Sequence, residues 1–332
     1  MWPNLLIIPE GKETKLLWYQ DREFGEFAPI RYLSEGGVIR RTDEVEQVLT
    51  HLVTSVLDRL AEQGVTGTPL EKEWSALATL ERDEREYCIA AAKLGLDPFS
   101  EAGEFESSII ESAQSLPPEI LGDFFDAVDP SHIPQAVEWI TEATRQAELL
   151  AGAPSDQIRS ARDALESISA RDVDVPWQLG WRQARAARRS LDLADDSFID
   201  MDDFVSLGSQ AGADRNVQAV GVAPGDSGRP AVVLGRTPVP GAKRFIQGRA
   251  LWHRITRDEP MFLITTSYTH RQKAERAFAA EFLAPAEGIK SRLEVPPGDA
   301  TQEDLSPVAE YFGVSPFVIE HQIENQLLSG SR

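Results

Sequence analysis

The chain contains a single cysteine, Cys88, among 332 residues. One thiol can form no disulfide within the chain and cannot supply a cysteine cluster for zinc. Cys88 lies in the apolar run EYCIAAAKLGL, a setting typical of a small buried thiol rather than of a nucleophile. The sequence therefore excludes a disulfide scaffold within the chain.

Long apolar runs are also missing. No run of the sequence approaches the roughly 18 apolar residues that a membrane-spanning helix needs. The first residues, MWPNLLIIPEGKE, lack the basic region and small-residue cleavage site of a secretory signal. We therefore expect a cytoplasmic protein with no membrane partner, and a chain of this length predicts about two domains.

Basic residues are few. The chain has 33 Lys and Arg against 54 Asp and Glu, which gives a formal charge of −21. Residues 1–165 hold 14 basic and 31 acidic residues, whereas residues 241–292 hold 10 basic and 5 acidic. Since tight binding to phosphate backbones depends on Lys and Arg displacing counterions, no nucleic acid is expected as partner. An acidic body with a local basic patch favours a protein partner or an anionic ligand.

The first half of the sequence is predicted to be mostly helical. The segments NLLII and KLLWYQ predict a β-hairpin with PEGKET as its turn. Apolar spacing and capping residues then predict helices near 42–63, 70–79, 82–94, 104–115, 117–127, 132–151 and 156–169. These features predict a largely α-helical N-terminal domain over residues 1–168, and the segment SARDVDVP, 169–176, marks its boundary.

A second domain is predicted over residues 176–328. WQLGWRQARAARRSLDL predicts a helix that turns Trp177 and Trp181 to a core and Arg188 to solvent, and FIDMDDFVSLG a short helix ended by Gly208. VQAVGVA and PAVVLGR predict strands. A helix around RFIQGRALWH, a loop RDEPMFLITTSYTH, a helix RQKAERAFAAEFLAP and a terminal helix pair joined at Gly313 follow. This order predicts an α+β domain with a small sheet.

Three segments of this domain carry a family resemblance. They are RFIQGRALWH (244–253), ERAFAAEFLAP (275–285) and VAEYFGVSPFVI (308–319). Together they resemble the ImmA/IrrE metallopeptidase family, whose members show RFT-AHELGH, then E--AN-FAAELLMP, then an FGVS helix pair. The resemblance covers residues 176–328 and implies a zincin-like fold. It also implies a bacterial cytoplasmic protein with a role in stress response, mobile-element control or defence, often with a transcriptional repressor as partner.

The zinc motif implied by this resemblance is degenerate. The family's first histidine falls on Arg249, its glutamate base on Ala250, its second histidine on His253 and its third ligand on Gln272. Only His253 is retained, whereas a catalytic zinc needs three protein ligands and a carboxylate to activate its water. A guanidinium 4 Å from the dication would oppose binding by about 8 kcal/mol at an effective dielectric of about 20. We therefore expect no catalytic residue, no metal and no cofactor.

The remaining polar side chains predict a ligand-binding cleft. Its candidate residues are Arg249, His253, Gln272, Arg276 and Glu281, in which a guanidinium suits a carboxylate, a phosphate or a peptide terminus. Equally, Arg249 can pair with Glu281 or Glu275 and simply hold two helices together. The preferred interpretation is a regulatory protein that binds a protein or a ligand.

Two other functions remain open. One is a divergent, active zinc metallopeptidase that cleaves a regulatory protein and uses His253 with Glu281 or Asp258, or ligands recruited from His270, Glu259 and Glu275. The other is a nucleic-acid-binding regulator that uses the basic patch at 241–292 and the terminal helix pair.

Overall fold

The chain is described by a computed structural model over residues 4–10, 13–19, 34–165, 168, 175–225, 227–236 and 239–328. It divides into two compact units, Met1–Ile89 and Ala90–Arg332. The segment 169–174, where the sequence placed a domain boundary, lies outside the described residues. The helices predicted between 104 and 165 belong to the second unit. In the described ranges no helix is both long and apolar enough to cross a membrane.

The first unit contains an antiparallel sheet in the order β1 (Asn4–Glu10), β2 (Glu13–Tyr19), β3 (Gly36–Arg41). The first two strands confirm the predicted hairpin. The third was not predicted, because a Gly-Gly pair followed by only two apolar residues is a weak strand signal. Its Gly36 has a packing reason, since a Cβ there would come within 2.6 Å of the Trp18 ring.

Two helices follow in the first unit, and a third spans the division between the units. They are α1 (Thr42–Glu62), α2 (Pro69–Thr79) and α3 (Arg82–Lys93). The start of α2 follows from its sequence. The Thr68 hydroxyl accepts a hydrogen bond from the Glu71 amide at 3.2 Å, and Pro69 occupies the first helical position, where no amide is needed.

The second unit is an α+β fold. Its helices are α4 (Glu106–Ser115), α5 (Pro118–Phe125), α6 (Ile133–Leu150), α7 (Asp156–Leu165), α8 (Pro176–Ser190), α9 (Pro240–Thr256), α10 (His270–Leu283), α11 (Ala286–Arg292), α12 (Gln302–Phe312) and α13 (Pro316–Gln322), which continues as a π-helix over Ile323–Leu328. Its strands are β4 (Ser206–Ser209), β5 (Val217–Val222), β6 (Ala231–Leu234) and β7 (Met261–Thr265). They form a sheet in the order β4-β6-β5-β7, in which β4 and β6 are parallel and the other pairs antiparallel.

The core of the second unit lies where α8 and α9 pack against α10. Ile246, Ala250, Leu251 and Ile255 form an apolar stripe on α9 that is buried, as are Phe278 and Phe282 of α10. Gly180 allows the closest approach of α8 to α10, because a Cβ there would stand 2.2 Å from the carbonyl oxygen of Ala274. Helix α10 is therefore packed against both α8 and α9.

Two predictions for this unit were wrong. FIDMDDFVSLG forms a 3-10 turn at Met201–Asp203, and Gly208 lies inside β4 rather than at a helix end. The predicted loop RDEPMFLITTSYTH contains β7, whose five residues are all buried. Strands β4 and β7 are short, and their hydrogen-bonding partners lie elsewhere in the sequence. The local residue pattern was therefore too weak to predict either strand.

The predicted outward position of Arg188 was also wrong. Its side chain is 1% exposed and donates hydrogen bonds to the carbonyl oxygens of Phe282 and Ala194 and to the Ser197 hydroxyl. The C-terminal half of α8 packs against the end of α10, which covers this position. A guanidinium there satisfies carbonyl groups that would otherwise be buried without partners.

Candidate functional site

The candidate site lies on the face that α9 turns to α10. Arg249 and His253 are four residues apart, so their side chains project from the same face of α9. Both are almost fully buried, at 2% and 4% exposure. A fully buried guanidinium needs a partner for its charge, and α10 provides one.

Arg249 forms a buried ion pair with Glu275. Its Nε donates to Glu275 Oε1 at 2.6 Å, and a terminal nitrogen donates to the same oxygen. The other contacts are to Gln218 Oε1 at 2.7 Å and to the carbonyl oxygen of Thr265 at 2.9 Å. Of the two partners that the sequence left open, Arg249 therefore pairs with Glu275. The donors of the Arg249 guanidinium point into protein rather than solvent.

His253 contacts the second oxygen of the same carboxylate. Its Nε2 lies 2.6 Å from Glu275 Oε2, and its ring stacks on Phe262 with centroids 4.5 Å apart. We call Arg249, His253 and Glu275 the buried cluster. One carboxylate joins the two α9 residues that sequence reasoning placed in the site.

Glu275 is ionised within the buried cluster. Burial by itself opposes the charged form, but the attraction of Arg249 and the hydrogen bonds from His253 and Arg249 outweigh it and lower the pKa of Glu275 to about 2. An ionised carboxylate only accepts hydrogen bonds, so His253 Nε2 must carry a proton. That nitrogen has no lone pair to offer a metal.

Gln272 and Arg276 reach the same end of β7. Gln272 Nε2 donates to Thr265 Oγ1 at 2.8 Å, and Arg276 donates to the carbonyl oxygens of Thr265 at 3.0 Å and Ser267 at 2.8 Å. Burial first, and then the neighbouring Arg249, lower the pKa of Arg276 to about 10, so it remains cationic at neutral pH. The structure thus brings together four of the five predicted site residues.

Glu281 is the exception. Its carboxylate accepts hydrogen bonds from Arg185 Nε and from the side-chain amides of Gln322 and Gln326, each at 2.7 Å. It therefore ties α8 to the terminal helices and takes no part in the buried cluster. The expectation that it lines one cleft with Arg249 and His253 was wrong, because it projects from a different face of α10 than Glu275.

The residues present do not fit a zinc ion. Arg249 brings a permanent positive charge, Ala250 offers no proton acceptor, and the Gln272 amide is engaged by Thr265. Of the side chains considered for a rearranged site, Asp258 pairs with Arg162 and Glu259 lies 3.4 Å from Arg257. Across the part of the chain that the structure describes, no group of three or more His, Cys, Asp or Glu side chains is placed to hold a metal.

A groove with a volume of about 920 Å³ opens beside the buried cluster, and sequence reasoning missed most of its lining residues. Arg249 and Arg276 line it together with residues of α8, α10 and α13. The principal additions are Trp177, Trp181, Phe245, Lys273, Val318 and Phe317. Trp177 and Phe317 are 42% and 64% exposed, so the expectation that Trp177 turns to a core was wrong. We call this the α9–α10 groove.

No protein-family model and no curated protein sequence matches the chain. Function is therefore inferred from the side chains of this site and from the sequence motifs of α9 and α10.

Proposed function

We propose that the chain is a catalytically degenerate ImmA/IrrE-like protein whose second unit is a regulatory binding module. The observation that supports this is the buried cluster, in which Glu275 bridges Arg249 and His253. The resemblance would place a metal ion between the same two α9 positions. An ion pair there supplies the cross-link between α9 and α10 and leaves no position open for a catalytic water.

Both residues of the ion pair differ from the family pattern. In E--AN-FAAELLMP, aligned on FAA, alanine stands at the position of Glu275, and histidine stands at the position of Arg249 in the first motif. This chain has a cation at one position and an anion at the other. Complementary changes of this kind keep the two helices joined without a metal, which favours a binding role over a damaged enzyme.

The biological setting is proposed from the resemblance. It suggests a bacterial cytoplasmic regulator in stress response, mobile-element control or defence that acts through a protein partner such as a transcriptional repressor. The acidic first half of the sequence supports a basic partner surface, since opposite charges accelerate and orient association.

Metal content and peptidase activity of the natively purified full chain test this function. We expect substoichiometric zinc and no chelator-sensitive cleavage of casein or of a partner that co-purifies. His253→Ala serves as control, because zinc that persists in this variant is bound elsewhere. Stoichiometric zinc that is lost with His253, together with chelator-sensitive proteolysis, would show that the chain is an active enzyme.

A further inference from the structure

We propose that the α9–α10 groove binds a small amphiphilic anion, an apolar chain that ends in a carboxylate. This inference deepens the proposed function by naming a ligand class for the non-catalytic module. It is carried by three features of the groove: the separation of its charged and apolar ends, the absence of Asp and Glu from its described lining residues, and its size.

The cationic and apolar residues of the groove lie at different ends. A Cβ on Gly248 would lie 3.3 Å from the Cα of Ala279, whereas His253, further along α9, reaches back to Glu275. The two helices are therefore antiparallel. Lys273 and Arg276, from the first two turns of α10, thus lie far from Phe245 in the first half of α9. An anionic head and an apolar tail would each meet a matching end.

The charge of the groove is opposite to that of the chain. None of its lining residues within the described ranges is Asp or Glu, although the chain carries 54 of these. Arg276 bonds to carbonyl oxygens, and its guanidinium lies 4.8 Å from the centre of the Tyr268 ring. Lys273 Nζ lies 5.9 Å from the same ring. This concentration of cations in an acidic protein selects an anionic group.

The other end of the groove is mainly apolar, although Gln322 and His321 of α13 also line the groove. Phe245 and Ile246 of α9, Ala280 of α10 and Val318 of α13 line it. Its volume of about 920 Å³ lies within the roughly 300–1,000 Å³ of small-molecule sites, which are lined mainly by apolar and aromatic side chains with few polar groups. A flexible alkyl chain can fill such a surface without needing hydrogen bonds.

The proposal is tested by binding decanoate to the full chain, measured by titration calorimetry and by the fluorescence of Trp177 and Trp181. Decanoate is kept below the concentration at which it forms micelles. We expect one molecule per chain, and decanol or decyltrimethylammonium should bind at least about tenfold more weakly, because a charge-assisted contact is lost. Lys273→Gln and Arg276→Gln should each weaken decanoate binding by about tenfold. Lys290→Gln and Arg189→Gln, which remove the same charges outside the groove, should not.

Equal binding of decanoate and decanol, or no effect of either groove substitution in folded variants, would overturn the proposal. So would an acidic apolar peptide that occupies the groove when decanoate does not bind at all. These outcomes do not contradict the proposed non-catalytic function, because that function is tested separately by zinc content and proteolysis. Circular dichroism and thermal unfolding of each variant separate lost binding from lost folding.

Discussion

The carboxylate of Glu275 and the guanidinium of Arg249 form an ion pair whose side chains are only 0% and 3% exposed. Removing two charges from water costs several kcal/mol per ion, so such a pair is stable only when further hydrogen bonds complete it. Here His253 forms a further hydrogen bond to the carboxylate, and Gln218 and the Thr265 carbonyl oxygen accept further hydrogen bonds from the guanidinium. The stability of the site therefore depends on every member being present.

Replacing Glu275 by Gln should destabilise the protein by about 3–5 kcal/mol, because Arg249 would remain buried without its counter-charge. Urea unfolding followed by circular dichroism measures this free energy. Glu287→Gln removes an exposed carboxylate of α11 and should change stability by no more than about 0.5 kcal/mol. Similar effects of the two substitutions would show that the ion pair contributes little.

Acidification should destabilise the fold through the same residue. The pKa of Glu275 falls from its ordinary 4.5 to about 2 on folding, so its contribution is present above pH 4.5 and is lost as the pH falls toward 2. The full loss amounts to about 3 kcal/mol. Urea midpoints between pH 5.5 and 3 should fall more steeply for the native chain than for Glu275→Gln. Parallel curves would contradict the lowered pKa.

Arg249→His should create a zinc site at the buried cluster. The substitution removes the positive charge and puts a second imidazole on the face of α9 where His253 already meets Glu275, which gives the three ligands a zinc site requires. We expect one zinc per chain by metal analysis of this variant. Arg249→His with Glu275→Ala is the control and should hold none. Failure of the single variant to bind zinc would show that the two helices are too rigidly spaced.

Arg188→Met should cost at least about 2 kcal/mol, since the carbonyl oxygens of Phe282 and Ala194 would lose a buried donor. Arg189, the next residue, is exposed, and Arg189→Met should change the free energy of unfolding by about 0.5 kcal/mol or less. Thermal unfolding of the matched pair checks the difference. Equal effects would mean that Arg188 faces solvent, as its sequence pattern indicates.

Gly180→Ala should destabilise the protein by at least about 2 kcal/mol, because the new methyl group would meet the backbone of α10. A methyl group added at Gly122, inside α5, would meet no atom of the described residues within 4 Å beyond its own helix turn. Gly122→Ala should therefore stabilise the protein by about 0.5–1 kcal/mol. Chemical unfolding should therefore show changes of opposite sign in the free energy of unfolding for the two variants. A neutral Gly180→Ala would show that α8 and α10 are free to move apart.

Local pattern was sufficient for most helices. The helices α2 and α9 depend on apolar spacing and capping residues within a few positions of one another, so the sequence alone predicted them. The choice between Glu275 and Glu281 as partner of Arg249 did not follow from local pattern. Both lie on α10, on different faces, and the arrangement of the helices decides that one face meets Arg249 of α9 and the other meets Arg185 of α8.

The sequence alone determined that positions 249, 250 and 272 carry arginine, alanine and glutamine, so these positions lack the histidine and the two glutamates of the motif that the chain resembles. The tertiary structure decided which charges meet, that Arg188 is buried, and that aromatic side chains from separate helices share one groove. Those outcomes depend on which faces of α8, α9, α10 and α13 come together. Such contacts arise from packing between segments far apart in the chain, and the spacing of residues along it does not encode them.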